Sequence, residues 1–295
     1  MQLVLGTAQL GLDYGITNND GKPKLTQSLE IIKHALDNNI IIFDTARAYG
    51  ESEYILGLAN KTFGGMNFIT KLDPLSSLDN NTSEEEIYKM IDNSIDTSLK
   101  NLNIDFIDIM LMHRFDHFQN KTIWNYLIKN NFVKNLGVSV YYVNEAIEAL
   151  KDDHVKYIQL PINILDQQWF CDEFLQLIEK RTDVTIHCRS ILLQGILISD
   201  ATKWPKIDDI NPEEYIEKLN NLVKLFKLNN RLELCFSYIK SISWINGLLI
   251  GVDNLKQLKD NLKLSNVRKL DLDELQLIKN TFNNCPNKLL NPSTW

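Results

Sequence analysis

An acid and a phenol stand five residues apart where an apolar run ends. They are Asp44 and Tyr49, in the segment FDTARAYGESEYILG (residues 43–57). A lysine, Lys71, and a histidine, His113, close two later apolar runs, NFITKL and FIDIMLMH. A carboxylate, a phenol, an ammonium and an imidazole are groups from which a proton-donating site can be built. The four residues predict acid–base chemistry if the fold brings them together.

The four groups also complement one another chemically. A tyrosine hydroxyl has a reference pKa of about 10, too high for efficient proton donation at neutral pH. A neighbouring Lys71 ammonium would lower that pKa, and a buried Asp44 would keep the lysine charged and oriented. His113 could hydrogen-bond a substrate carbonyl. The set suits reduction of a carbonyl by hydride, in which negative charge develops on oxygen and must be protonated.

Taken singly, each residue also has a structural explanation. Asp44 could cap a turn or a helix, and Tyr49 could be an aromatic packed at a rim. Lys71 could end a strand and pair with Asp73, and His113 could be a core histidine. Their joint placement at the ends of consecutive apolar runs favours the chemical interpretation.

Eight short apolar runs separated by amphipathic segments must position these residues. Most of the runs are continuous in Val, Ile and Leu, which is typical of strands buried on both faces of a parallel sheet. This alternation predicts a (β/α)8 TIM barrel, in one domain over residues 1–295 with a short C-terminal tail from about residue 281. A doubly wound open sheet is the competing fold, but the first run lacks its Gly-x-Gly-x-x-Gly loop. The runs are residues 3–6, 40–45, 67–72, 106–113, 135–140, 157–163, 184–189 and 247–252.

Helix starts are marked by capping residues. Ser83 precedes three glutamates, which favours a helix from there to residue 102. Asn211 before Pro212 marks another start, since proline is accepted at the first helical position. Thr26 or Ser28 is expected to cap the helix over residues 26–38.

Composition and charge exclude several classes of protein. The net charge is -7 and the pI is about 5.3, so the chain has no basic stripe for nucleic acid. The sequence shows neither a signal peptide nor a membrane span, and we expect a cytoplasmic protein. The four cysteines form no Cys-x-x-Cys pair, and His113 and His117 lack the acid that a His-Glu-x-x-His zinc site needs. We expect no metal site.

The chain resembles the aldo-keto reductases over nearly its whole length. FDTARAYGESEYILG is similar to that family's Asp-Thr-Ala-x-x-Tyr-Gly-x-Ser-Glu-x-x-Leu-Gly signature, and ITKLD and IDIMLMHR are similar to its lysine and histidine strands. The resemblance implies a catalytic tetrad of Asp44, Tyr49, Lys71 and His113, with Tyr49 as the general acid. It also implies NADP(H), less often NAD(H), bound in an extended pose across the barrel mouth without a Rossmann fold.

The resemblance further implies where the nicotinamide would bind. Ser139 in LGVSV and Gln159 in QLPIN would hold the carboxamide, with Val140 where the family usually has an asparagine. Arg189 stands where many members stack a tyrosine on the nicotinamide, next to Ser190. We expect Arg189 either to stack on the ring or to form a salt bridge at the mouth, and both remain open.

At the adenosine end, LLIGVDNLKQLKDNL is similar to the family's final strand and helix. Members strict for NADP(H) place a basic residue in this loop, where this chain has Asp253 and Asn254. An acid here would repel a 2′-phosphate and accept from a free 2′-hydroxyl, although Lys256 could swing in to compensate. We therefore expect NAD(H) to be usable. The implied contacts in this segment are Gly251, Asp253, Gln257 and Asn261.

The leading functional prediction is an NAD(P)H-dependent oxidoreductase that reduces an aldehyde or ketone, acting as a monomer or weak homo-oligomer. The alternative is a cofactor-binding, regulatory member of the same fold, which the complete tetrad disfavours. Specificity would lie in the loops, including residues 7–23 with Tyr14 and residues 199–211 with Trp204. LGTAQLGLDYGI resembles bacterial members from surface-sugar gene clusters, which suggests a sugar or nucleotide-sugar carbonyl. The tail, ending in Trp295, could either cover the mouth or hang free.

Overall fold

Eight parallel strands close into a barrel in the computed structural model, which describes residues 1–18, 21–79, 81–130, 132–292 and 295. The strands pair in chain order, and β1 closes the barrel against β8. The predicted (β/α)8 TIM barrel is confirmed. Asn19 and Asp20 of the first loop, and Ser293 and Thr294 of the tail, lie outside the described residues. The strands are Gln2–Gly6 (β1), Ile42–Asp44 (β2), Asn67–Lys71 (β3), Ile107–Met112 (β4), Val133–Ser139 (β5), Val155–Pro161 (β6), Thr185–Arg189 (β7) and Gly247–Gly251 (β8).

Helices surround the barrel and cover the outer faces of the strands. Several are short pieces within loops, while the helices over residues 84–102, 212–225 and 25–37 are the longest. The α-helices in the described ranges are Ala8–Gly11 (α1), Leu25–Asp37 (α2), Ser52–Phe63 (α3), Glu84–Leu102 (α4), Phe115–Gln119 (α5), Lys121–Lys129 (α6), Val143–Leu150 (α7), Asp172–Lys180 (α8), Pro212–Leu225 (α9), Arg231–Ser241 (α10), Leu255–Lys263 (α11), Leu272–Thr281 (α12) and Asn287–Leu290 (α13).

The strands bury both faces, which is why their sequences are nearly continuous in apolar residues. One face packs against the helices in the large core. The other face contributes to a small separate cluster inside the barrel, formed by Ile69, Ile109 and Leu111 with Ile42 and Tyr157. Because alternate residues of a strand share a face, side chains two positions further on also point inward. This alternation decides what lines the mouth.

Two of the predicted helix starts are confirmed and one is wrong. The Ser83 hydroxyl accepts from the Glu86 N–H at the start of α4, and Asn211 caps α9 directly before Pro212. In contrast, α2 begins at Leu25, so Thr26 and Ser28 lie inside the helix. The reason is that the Gln27 side chain accepts from the Lys24 backbone N–H and closes the end without a hydroxyl cap.

The tail packs back on the molecule beside the loop that follows β5. Leu289 of α13 is buried, and the Asn291 side chain donates to the Tyr142 hydroxyl over 3.2 Å. The indole N–H of Trp295 donates to the Lys288 carbonyl, so this ring packs against the tail itself. No helix among the described residues is long and apolar enough to cross a membrane.

Candidate active site

The four predicted chemical groups meet at the C-terminal mouth of the barrel. Asp44 comes two residues after Ile42 and Lys71 two residues after Ile69, so both continue the inward-pointing faces. His113 directly follows β4, two residues beyond the inward-pointing Leu111. Tyr49 arrives from the loop between β2 and α3. Strand alternation therefore places three of the groups and loop geometry places the fourth.

A buried ion pair forms the base of the site. Lys71 Nζ lies 2.6 Å from Asp44 Oδ1, and the two side chains are only 1% and 2% exposed. Lys71 also donates to the Thr45 carbonyl, and Gln159 donates its amide N–H to Asp44 Oδ2 over 2.7 Å. Burial lowers the pKa of Lys71, but Asp44 and Tyr49 outweigh it and the pKa is raised. Lys71 is thus a held cation, and its predicted alternative partner, Asp73, is not used.

Tyr49 and His113 lie directly above this pair. Lys71 Nζ is 4.9 Å from the centroid of the Tyr49 ring, and the Tyr49 and His113 rings meet edge to face at 5.6 Å. Burial, followed by the positive charges of Lys71 and Arg189, lowers the pKa of His113 to about 3. The imidazole is therefore neutral at physiological pH. Its Nδ1 is buried and has no protein partner, which suits a neutral group that orients a ligand.

Three buried hydroxyls fix the start of the Tyr49 loop. The Ser52 hydroxyl is 2.7 Å from that of Thr7 and 2.9 Å from that of Thr45, and the Thr7 hydroxyl donates to the Asp44 carbonyl. Sequence reasoning missed this network, because single Ser and Thr residues give no pattern along the chain. It ties β1, β2 and α3 together directly beside the site.

The carboxylate of Glu53 fixes the other side of the loop. Glu53 is 1% exposed and accepts from the Thr70 hydroxyl at 2.7 Å and from Arg47 at 3.0 Å. The Ser98 hydroxyl adds a bond from α4. Gly57 lets α3 approach α4, since a Cβ there would lie 1.9 Å from the Asn101 carbonyl oxygen. Glu53 and Gly57 thus hold α3, the helix that follows Tyr49, in place.

Gly11 makes room for the backbone of Tyr49, and replacing it should displace the loop. A Cβ at Gly11 would lie 1.8 Å from the Tyr49 carbonyl oxygen, a backbone atom that cannot swing away. We expect Gly11→Ala to lower stability by about 1–3 kcal/mol and turnover by about 100-fold, the effect of a misplacement near 1 Å. Urea unfolding and steady-state kinetics measure the two effects.

The matched control is Gly6→Ala on the preceding strand, where the nearest atoms lie 3.6 Å from the added Cβ. This variant should retain most of its stability. If Gly11→Ala unfolded at the same urea concentration as Gly6→Ala, the close approach would have no energetic importance.

The two predicted carboxamide contacts are neighbours in the sheet. Ser139 at the end of β5 pairs in register with Gln159 of β6, and both side chains are buried. The Gln159 N–H already donates to Asp44, so this residue also joins the ion pair to β6. These two polar groups stand together at one point of the mouth.

Arg189, the last residue of β7, packs against the loop after β5. Its guanidinium lies 4.4 Å from the centroid of the Tyr141 ring, and Nη2 donates to the Val140 carbonyl over 3.1 Å. Of the two alternatives for Arg189, the salt bridge is absent: within the described ranges, no carboxylate lies within 4.0 Å of its guanidinium. Tyr141 was not singled out from the sequence, since an aromatic two residues past a strand has many uses.

The loop after β7 has an unusual backbone. Ser190 has a φ of 62°, and Leu193 and Gln194 also lie in the left-handed region. The Gln194 carbonyl accepts from the Thr17 hydroxyl, and its side chain accepts from the Ile16 N–H. The loops after β1 and β7 are therefore fastened together past the end of β8. No motif in either loop predicts this link.

At the predicted adenosine end, most polar groups already have local partners. Asn254 caps α11 by accepting from the Gln257 N–H, and the Gln257 side chain both accepts from the Asp253 N–H and donates to its carboxylate. Asn261 is buried on α11. Gly251 is exposed at the end of β8, where a Cβ would lie 2.4 Å from the Gln9 amide. The Asp253 carboxylate is therefore held in place by the side chain of Gln257.

Of the two loop aromatics predicted to face a substrate, only Tyr14 is accessible. Tyr14 is 42% exposed, whereas Trp204 is 5% exposed and packs against Tyr215 at 5.9 Å. The prediction for Trp204 is wrong, because the segment folds inward onto α9. Across the part of the chain that the structure describes, no group of three His, Cys, Asp or Glu side chains could hold a metal ion.

The protein is a (β/α)8 barrel with a carboxylate, an ammonium, a phenol and an imidazole together at its C-terminal mouth. The chain belongs to the aldo/keto reductase family, whose sequence profile matches residues 2–282. This is a family of oxidoreductases that generally use NAD(P)H.

Individual relatives are distant. Aldo-keto reductase YhdN of Bacillus subtilis (strain 168) is 27% identical over 223 residues, which cover 68% of this chain and 66% of YhdN. The uncharacterized oxidoreductase YqkF of the same strain is 20% identical over 294 residues, covering 93% of this chain and 94% of YqkF. Among solved structures, aldo-keto reductase AKR11C1 from Bacillus halodurans in its holo form has a TM-score of 0.75 at 20% identity, covering 95% and 91% of the two chains. That likeness shows the fold.

Proposed function

We propose that this protein is an NAD(P)H-dependent carbonyl reductase in which Tyr49 is the general acid. One observation carries the proposal: a charged Lys71, held by the buried Asp44, lies under the Tyr49 ring beside a neutral His113. A cation, a phenol and a neutral imidazole in contact form a site for a carbonyl oxygen that gains negative charge.

Each residue then has a defined task. A bound nicotinamide supplies the hydride. The Tyr49 hydroxyl donates its proton to the carbonyl oxygen, and the Lys71 ammonium stabilises the negative charge left on the phenolic oxygen. Asp44 keeps Lys71 charged in a place where burial alone would favour the neutral amine. His113 donates an N–H to the carbonyl oxygen without itself carrying charge.

The residues at the mouth fit a nicotinamide cofactor. A carboxamide needs one hydrogen-bond donor and one acceptor, and the Ser139 hydroxyl and the Gln159 amide stand side by side in register. At the other end of the mouth, Gly251 leaves room at the end of β8 for the Gln9 side-chain amide, which a Cβ would meet at 2.4 Å. Ser190, Asp253, Gln257 and Asn261 complete the proposed set of contacts.

Cofactor preference should be weak. Asp253 stands at the proposed ribose end, and its charge repels a 2′-phosphate while its oxygens accept from a 2′-hydroxyl. We expect NADH and NADPH to bind with Kd values within about tenfold of each other, as measured by quenching of tryptophan fluorescence. Asp253→Asn should shift the ratio toward NADPH, and Asp260→Asn on the outer part of α11 is the matched control. A Kd for NADPH more than about 100-fold below that for NADH would contradict the assignment.

A sugar or nucleotide-sugar carbonyl is the proposed natural substrate, on the strength of the LGTAQLGLDYGI opening. Oxidation of NADH and NADPH should be followed against aldehydes, aldoses and keto-sugars. Turnover of several carbonyl compounds supports the proposed reductase. Cofactor binding without oxidation in the presence of any of them would instead favour a regulatory cofactor-binding protein.

A further inference from the structure

Arg189 is a fixed cation at the mouth of the barrel. Tyr141 covers one face of its guanidinium at 4.4 Å, and the Val140 carbonyl accepts from Nη2. Both contacts come from the segment after β5, while Arg189 itself ends β7. A guanidinium held by a stacked ring and a backbone oxygen has lost much of its rotational freedom, so it can bind a ligand without a large ordering cost.

The charge of Arg189 is not neutralised by the protein. Within the described ranges no carboxylate lies within 4.0 Å of the guanidinium. The carboxylate of the site, Asp44, is already paired with Lys71. A guanidinium carries five N–H donors, and the Val140 carbonyl occupies one. Arg189 thus carries a positive charge without a carboxylate partner among the described residues, in a chain whose net charge is -7. An anion that enters here can pair with Arg189 without displacing a carboxylate of the protein.

Arg189 also lies near the groups that would hold the carbonyl. Its charge contributes to lowering the pKa of His113, after burial and Lys71, and it opposes the burial that raises the pKa of Tyr14. Tyr14 and Tyr141 are 42% and 39% exposed; Tyr141 stacks on the guanidinium, and Tyr14 lies close enough to feel its charge. Arg189 therefore lies near both the buried His113 and the exposed Tyr14.

We propose that Arg189, with Tyr14 and Tyr141 beside it, binds an anionic group of the carbonyl substrate, a carboxylate or a phosphate. This inference rests on the proposed reductase function and names the substrate class of the same site. The planar guanidinium can donate two parallel hydrogen bonds to such a group. A nucleotide sugar or a sugar acid would carry the required charge.

The test compares an anionic aldehyde with a neutral one of the same shape. The probes are 4-formylbenzoate and its methyl ester, with 4-formylphenyl phosphate as a second anion. We expect Arg189→Gln to lower the ratio of kcat/KM for acid over ester by about 10- to 100-fold, the effect of a charged hydrogen bond. Arg114→Gln is the matched control, because Arg114 is exposed and already paired with Asp116. It should leave the ratio unchanged.

Cofactor phosphates are the other possible source of an anion, and a second measurement separates the two. If Arg189 serves the substrate, Kd for NADPH and NADH in Arg189→Gln should stay within about threefold of the wild-type values. An unchanged acid-to-ester ratio would overturn the proposal. So would equal losses for both aldehydes together with weaker cofactor binding, which would assign Arg189 to the cofactor.

Ligand binding without turnover keeps this inference separate from the proposed function. In the presence of NADPH, with which an alcohol cannot exchange hydride, 4-(hydroxymethyl)benzoate should bind the wild-type protein at least about tenfold more tightly than its methyl ester, measured by fluorescence titration. Tighter binding of the acid without any aldehyde reduction would refute the reductase and leave the anion site standing. Equal turnover of the acid and the ester would support the reductase and refute the anion site.

Discussion

Tyr49→Phe is expected to lower kcat for aldehyde reduction by about 10²- to 10⁴-fold, the usual contribution of a positioned general acid. The change removes one hydroxyl and leaves the ring, so the edge contact with His113 and the position of Lys71 under the ring should persist. Cofactor affinity should stay within about threefold. Stopped-flow reduction and a cofactor titration on the same preparation measure both quantities.

The matched control is Tyr54→Phe, a phenol on α3 that is exposed and distant from the ion pair. It should keep full activity. If Tyr49→Phe also kept its activity, Tyr49 would not be the proton donor. Loss of cofactor binding in Tyr49→Phe would instead indicate a positioning role.

Lys71→Met is expected to have the second largest effect, on both stability and turnover. Lys71 is 1% exposed, and its removal leaves the Asp44 carboxylate buried with Gln159 as its remaining side-chain donor. Breaking one side of a buried pair typically costs about 3–5 kcal/mol. Turnover should fall as well, since the charge on the Tyr49 oxygen loses its cation. Urea unfolding followed by circular dichroism gives the first effect and kinetics the second.

A double variant separates the two roles of the pair. Lys71→Met/Asp44→Leu removes both charges and should regain part of the stability, because apolar replacements of a buried pair are often neutral or better. It should remain inactive. Lys151→Met is the surface control: its pair with Glu173 is more than half exposed, so the change should cost at most about 1 kcal/mol. Recovery of turnover in the double variant would show that the pair is structural only.

The barrel and the meeting of the four groups could be predicted because both depend on regular alternation. A strand places every second residue inward, so the side chains of Asp44 and Lys71 point to the same side as those of Ile42 and Ile69. The signature around Tyr49 supplied the phenol. Its glutamate and glycine, Glu53 and Gly57, hold the helix that follows the tyrosine.

What escaped prediction depends on contacts between distant loops. The Arg189–Tyr141 stack joins the end of β7 to the loop after β5, 48 residues earlier in the chain, and no pattern in either segment predicts it. Trp204 was expected in a substrate-facing loop but packs on Tyr215, because its segment folds inward onto α9. Helix α10 was missed for a different reason: residues 234–239 are all buried, so this helix has no polar stripe to give a period.

The central claim is that this site moves hydride to a carbonyl while Tyr49 delivers the proton. The most direct measurement uses NADPH deuterated at the transferring position of C4, with 4-formylbenzoate as acceptor and mass spectrometry of the alcohol. We predict one deuterium on the carbinol carbon from the wild-type protein, and labelled alcohol forming about 10²- to 10⁴-fold more slowly with Tyr49→Phe. Unlabelled alcohol from the wild-type protein, or equal rates of labelling for the two proteins, would contradict the claim.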